Sequence, residues 1–203
     1  NTEHNYFLCD TEEKISSLIS QLENATEFCF DTESTGTDAN NAELVGMSFS
    51  FKPHEGFYVP VSSNQNEAQQ IVNRFKKYLE DETKNKIGQN IKYDMLLLKW
   101  YGVEVRGKMF DTMLTHYLIE PDQRHGMDYL SESYLQYRPV SITELIGKKG
   151  KGQGSMRDVD LEKIKEYAAE DADITLQLKE IFSTKLKENS TEKLFSEVEV
   201  PLV

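Results

Sequence analysis

The sequence predicts a single domain of mixed α/β order, and three observations carry that prediction. Strand-like runs alternate with amphipathic helix-like runs along the chain. Three of the strand-like runs adjoin through short polar links, the pattern of an antiparallel meander. The 203 residues, 38% of them hydrophobic, suffice for one domain with a sizeable core, and no internal repeat divides them.

Each element has its own justification in the residues. Tyr6 to Cys9 reads as a short strand, and Asp10 with Glu13 three residues later makes a capping box for the helix that follows. That helix carries Ile15, Leu18, Ile19 and Leu22 as a core-facing stripe. Glu27 to Glu33 is rich in aromatic and apolar residues and reads as a strand, with a polar turn from Ser34 to Asn41 after it. Leu44 to Phe51 and Phe57 to Val61 are two more strands, joined by Lys52-Pro-His-Glu-Gly56. Residues 67 to 80 form an amphipathic helix through Ile71, Val72, Phe75 and Leu79. Lys86 to Gln89 is a short strand feeding a helix that starts at Ile91 or Lys92, with Asp94 in its first turn. Val103 to Phe110 supplies a last strand, and from Asp111 onward the chain reads as helical apart from Arg138 to Arg157.

Composition excludes several classes of protein. No apolar run approaches the roughly 18 residues a bilayer-spanning helix needs. The first residues lack the basic and apolar regions of a secretory signal, and a start at Asn1 suggests a fragment or a processed chain. Cys9 and Cys29 fall in expected buried strands, where they serve as small hydrophobes in a reducing cytoplasm rather than as a disulfide. The net charge of −12 argues against a nucleic-acid binder, but it is unevenly spread. Residues 84 to 157 hold 12 Lys/Arg against 8 Asp/Glu, while the remainder holds 11 against 27. The middle of the chain could follow a phosphate backbone, with weak intrinsic affinity assisted by metal ions or a tethered neighbour.

The chemistry is concentrated in four acids and a phenol. A strand's period of two puts Asp31 and Glu33 on one face, where two carboxylates repel unless a cation lies between them. Hard divalent ions such as Mg²⁺ or Mn²⁺ take oxygen ligands of this kind. Tyr167 and Asp171, four apart on an expected helix, share a helix face. Asp173 and Glu170 are rotated away from that face, so solvation or helix ion pairing is the reading for both. Asp111 reads as an N-cap. His4, His54, His116 and His125 show no metal-ligand spacing. Gly147-Lys-Lys-Gly-Lys-Gly-Gln-Gly154 is a basic, flexible loop that lacks the Gly-Lys-Ser/Thr ending of a P-loop.

The run Phe30-Asp-Thr-Glu33, the turn Gly88-Gln-Asn-Ile-Lys-Tyr-Asp94 and Tyr167-Ala-Ala-Glu-Asp171 together resemble the three motifs of the tyrosine-type DEDD 3′-5′ exonucleases. The likeness extends over nearly the whole chain. It is greatest to the proofreading domain of bacterial family A DNA polymerases, through Phe110-Asp-Thr-Met-Leu114 and the ending Glu197-Val-Glu-Val-Pro-Leu-Val203. The resemblance implies a ribonuclease H-like fold, with a mixed sheet flanked by helices, over a single domain 1–203. Residues 191–203 would begin the connection to a polymerase portion of the same chain. It implies two divalent metal ions, Mg²⁺ or Mn²⁺: Asp31, Glu33 and Asp171 would bind one, and Asp31 would bridge to a second held chiefly through water by Asp94. Tyr167, with an ordinary pKa near 10, would orient the attacking water. Gln89, Asn90, Tyr93 and Arg124 would touch the 3′-terminal nucleotides of DNA, single-stranded or frayed; the alternatives are a turn and cap for the first three and a surface cation for Arg124. Ile142 stands where some relatives carry an aromatic wedge, which implies weaker base separation there. A monomer in the bacterial cytoplasm, near the nucleoid, is expected. The competing readings are an RNA-trimming relative of the ribonuclease D type and a non-catalytic domain that only supports polymerase structure.

Overall fold

In the computed structural model, which describes residues 3–203, a six-stranded mixed sheet is sandwiched between helices. The strands are β1 (Asn5–Leu8), β2 (Glu27–Ser34), β3 (Leu44–Ser50), β4 (Glu55–Pro60), β5 (Asn85–Gly88) and β6 (Met109–Asp111), in the spatial order β1-β4-β3-β2-β5-β6. β2, β3 and β4 form the expected antiparallel meander, and β1, β5 and β6 join it in parallel. The helices are α1 (Glu12–Asn24), α2 (Gln65–Leu79), α3 (Ile91–Lys99), α4 (Thr112–Ile119), α5 (Met127–Leu130), α6 (Ile142–Ile146), α7 (Leu161–Glu188) and α8 (Glu192–Leu194).

The alternation of β2 separates two cores and thereby places the functional side chains. Phe28 and Phe30 point toward α1, α2 and α3, where they pack with Leu18, Leu22, Phe49, Val72 and Phe75. Cys29 points the other way, against Ala172 and Leu176 of α7. Asp31 and Glu33 continue the Cys29 side, so the strand aims both acids at α7. α7 lies across β2, β3 and β4, and its close approach depends on Gly56, where a Cβ would sit 2.6 Å from the carbonyl oxygen of Ala169. Both cysteines are buried free thiols.

Several expectations are corrected. The first helix is capped by Thr11, whose hydroxyl accepts from the Lys14 amide, while Asp10 pairs with the Lys14 ammonium instead of forming a capping box. The strand expected over Val103 to Phe110 shrinks to Met109–Asp111. Val103 and Val105 are buried, but the Glu104 amide bonds the Glu80 carboxylate and the Arg106 amide bonds the Leu79 carbonyl, so this stretch is tied to the end of α2. Gly107 then turns at φ 96°, where a Cβ would meet the Lys84 carbonyl at 2.5 Å. The helical run after Asp111 is broken at Glu120, which precedes Pro121 and cannot stay helical. The stretch set aside as irregular contains the five-residue α6. The last residues form short helical turns, with Phe195 against Phe110 at a ring separation of 5.2 Å.

Candidate active site

The C-terminal end of β2, the start of α3 and the middle of α7 converge on one cleft of about 670 Å³. Carboxylate oxygens of Asp31, Glu33 and Asp171 lie within 4.8 Å of one another. Glu33 is 6% exposed, and its Oε1 is buried without a hydrogen-bond partner among the described residues. Burial raises the pKa of all three acids, and their mutual repulsion adds to the rise for Glu33 and Asp171. Asp31 is pushed up to about 7, and Glu33 and Asp171 go well above the carboxylate range.

Asp94 reaches the cleft from the opposite face of β2. Its Oδ1 accepts from the Thr32 amide at 3.0 Å and from the Thr32 hydroxyl at 2.5 Å. Thr32 is the residue of β2 that points toward α3, and it fixes this carboxylate; alternation between Asp31 and Glu33 is the signal that would have found it. Asp94 is 2% exposed, and burial followed by the charge of Asp31 holds its pKa well above the usual range. It is not one of the three clustered acids. Tyr167 lines the cleft one turn before Asp171. Burial first, then the charges of Asp171, Glu33 and Asp31, drives its phenol far above the ordinary tyrosine range.

The expected substrate contacts divide by how free their side chains are. Both ends of the Gln89 amide are engaged, the nitrogen with the His125 carbonyl and the oxygen with the Thr112 hydroxyl. The Tyr93 hydroxyl bonds Ser34 Oγ and the Gly36 carbonyl, so it holds the turn after β2. Asn90 adopts the left-handed conformation at φ 58° before α3, and its side chain makes no capping bond. All three line the cleft, whereas Arg124 sits exposed on the α4–α5 turn and does not. The opposite wall comes from Ile142, Thr143 and Ile146 of α6 and from Lys149, Gln153 and Gly154 of the basic loop. Lys149 is the one lysine or arginine among the described residues lining the cleft.

Glu170 and Asp173 stay outside the cleft, but neither is solvated. Glu170 is 3% exposed and accepts from the Tyr137 hydroxyl and the Val140 amide. Asp173 is 2% exposed and accepts from Tyr6, the His54 amide and Gln177. Helix rotation keeps both out of the cleft lining, and their bonds clamp the far side of α7 instead. Asp111 caps α4 through the Leu114 amide as expected, and also receives the Asn90 and Ile91 amides at the start of α3.

The family model for the 3′-5′ exonuclease domain matches residues 6–187. The chain belongs to the 3′-5′ exonuclease family. This exonuclease domain is 36% identical over 194 residues to DNA polymerase I of Borreliella burgdorferi, a match covering 94% of the chain and 21% of that protein. It is 35% identical over 195 residues to DNA polymerase I of Pseudomonas aeruginosa, covering 91% of the chain and 21% of the relative. The chain thus spans about a fifth of the length of these curated relatives. Among solved structures, the catalytic core of RRP6 from Trypanosoma brucei aligns with a TM-score of 0.74 at 18% identity, covering all of this chain and 54% of that one. Brucella melitensis NrnC aligns at 0.71 with 19% identity, covering 96% and 86%. These two likenesses bear on the fold alone, and they agree with the expected ribonuclease H-like architecture.

Proposed function

We propose that this domain hydrolyses the 3′-terminal phosphodiester of DNA, releasing deoxynucleoside 5′-monophosphates, and proofreads for a polymerase portion of the same protein. The observation that carries the reading is the carboxylate cluster with the buried, partnerless Glu33 Oε1. Three hard oxygen donors converging without a cationic side chain among them suit a divalent cation, Mg²⁺ or Mn²⁺. Asp31, Glu33 and Asp171 would hold one such ion, and Asp31 together with Asp94 a second. When bound, the ions supply the Lewis acidity that stabilises charge on the phosphoryl and leaving 3′ oxygens.

The protein's own residues do the rest. Water provides the attacking oxygen; the bond from phosphorus to the 3′ oxygen of the penultimate nucleotide breaks, leaving a new 3′ hydroxyl and a free 5′-monophosphate. Tyr167 orients that water by a hydrogen bond, because a phenol held so far above its ordinary pKa is a poor base. Asn90 meets the terminal nucleotide with its free amide, the Tyr93 ring forms part of the floor, and Gln89 braces Asn90 from behind. Arg124, beside the His125 carbonyl that holds Gln89, would reach a phosphate outside the cleft. Lys149 offers a charge to the scissile region from the opposite wall, and Ile142 an apolar edge for a base. The full set of acids and Tyr167 argues against a purely structural domain, and the relatives named DNA polymerase I favour DNA and a cytoplasmic role in replication or repair.

The test is an end-labelled comparison of single-stranded DNA, blunt duplex DNA and RNA of one sequence in Mg²⁺. The expected outcome is mononucleotide release from the 3′ end, faster from unpaired than from paired termini and faster on DNA than on RNA. Loss from the 5′ end would contradict the reading, and a preference for RNA would transfer it to the ribonuclease D type.

A further inference from the structure

α3 carries a second surface beyond the residues that enter the cleft. Tyr93, Leu96 and Trp100 follow the i, i+3, i+7 spacing of one helix face, and Lys92 with Lys99 forms a parallel row beside them. Tyr93 belongs to the cleft lining, so the apolar row begins at the site and runs outward along the helix. Its far end is Trp100, the single tryptophan of the chain, at 63% exposed, with Leu96 at 40% between. Neither the Lys92 nor the Lys99 ammonium makes an ion pair or hydrogen bond to a described residue; Glu104, whose charge Lys99 feels, is bonded by Arg106. In a chain of net charge −12, Lys99 beside the exposed indole and Lys92 two turns before it leave two ammonium groups on this face free to meet an anion.

We infer that this face of α3 is a single-strand subsite, on which Trp100 stacks a base several nucleotides 5′ of the scissile bond while Lys92 and Lys99 meet the phosphates. Seven helical residues span about 10 Å, the rise of roughly three stacked bases at ~3.4 Å each. Aromatic side chains beside basic ones are the sequence-tolerant means of holding an unpaired strand. The row also answers the charge objection, since it supplies cations where the strand leaves the acidic cleft. The inference rests on the proposed exonuclease reading and adds a length dependence to it: strands long enough to reach Trp100 bind more tightly than those that fill only the cleft.

Trp100 reports on its own occupancy. The domain is titrated in Mg²⁺ with oligothymidylates of three and of eight nucleotides whose 3′ linkages are phosphorothioate, and tryptophan fluorescence is read. The eight-nucleotide strand quenches the emission, increasingly weakly as salt rises, and the three-nucleotide strand leaves it unchanged. In steady-state cleavage of the ordinary phosphodiester strands, Trp100→Ala raises KM for the longer strand roughly tenfold with kcat unchanged, and leaves the shorter strand unaffected. Trp100→Phe restores most of the loss, and Lys92→Ala with Lys99→Ala flattens the salt dependence. Absence of quenching by the eight-nucleotide strand, or an equal rise in KM at both lengths, overturns the subsite. If wild-type protein cleaves neither strand yet the longer one quenches Trp100, the exonuclease reading fails while the strand-binding surface stands.

Discussion

Glu33 Oε1 is a buried carboxyl oxygen with no hydrogen-bond partner among the described residues, facing two further carboxyl groups. An arrangement of this kind is costly by itself, and the cost is relieved only by protonation or by a cation. Tyr167 lines the same cleft, and the proposed reading gives it a different task. Tyr167→Phe keeps the ring and α7 but deletes the hydroxyl, so metal binding measured by calorimetry should be unchanged. Single-turnover cleavage at saturating Mg²⁺ should fall by on the order of 10² to 10³, the value of one transition-state hydrogen bond. Loss of metal binding, or an unchanged chemical step, would remove Tyr167 from the water-orienting role. The five residues Asp31, Glu33, Asp94, Tyr167 and Asp171, which the fold gathers in one cleft, were legible from the sequence because each has a fixed offset within a regular element. Thr32, which anchors Asp94, was not, because a threonine in a strand carries no chemistry by itself and its partner lies 62 residues away.

At the scale of the element, Asp111 ties two helices together. It is 4% exposed and receives three amides, two from the start of α3 and one from α4. Its role as the α4 cap follows from local sequence, but its grip on α3 depends on the pairing of β5 with β6, which brings Gly88 opposite Asp111. Asp111→Ala should destabilise the domain by about 2 to 4 kcal/mol, a lost cap plus donors left unpaired in a buried place. Urea unfolding measures it, and Asp111→Asn, which keeps an acceptor, should recover part of the loss. A change below 0.5 kcal/mol would show that water replaces the cap. The strand expected over Val103 to Phe110 was misplaced for a tertiary reason: Val103 and Val105 alternate like a strand, yet their neighbours bond to α2, and Gly107 redirects the chain. Likewise Glu170 and Asp173 point away from the cleft as periodicity predicts, but are neither solvated nor ion-paired along the helix, because periodicity says which way a side chain points and not what the tertiary fold places there.

For the whole molecule, the acid cluster should make stability depend on pH and, on the proposed function, on metal as well. Asp31, Glu33, Asp94 and Asp171 all have folded-state pKa values above their unfolded ones. The folded protein therefore binds more protons than the unfolded chain between pH ~4 and the raised values, and stability falls as pH rises through that window. For Asp31 the loss runs from the ordinary carboxylate range up through its raised value of about 7, and for the other three it extends higher. In EDTA the Tm should drop by several degrees between pH 5 and pH 8, and millimolar Mg²⁺ should reverse most of the drop at pH 8. A Tm in EDTA that does not fall with pH would mean that the acids are relieved in some other way.

In the proposed function, Asp31 and Asp171 hold the metal on which hydrolysis depends. The most direct measurement is a Mg²⁺ titration of 3′-end degradation of labelled single-stranded DNA by wild type, Asp31→Ala and Asp171→Ala, each checked for folding by thermal melting. Wild type should ladder the strand from its 3′ end with saturable Mg²⁺ dependence, and both folded variants should lose more activity than Tyr167→Phe at every Mg²⁺ concentration. Wild-type-like laddering by either variant, or activity of the wild type in EDTA, would contradict the claim.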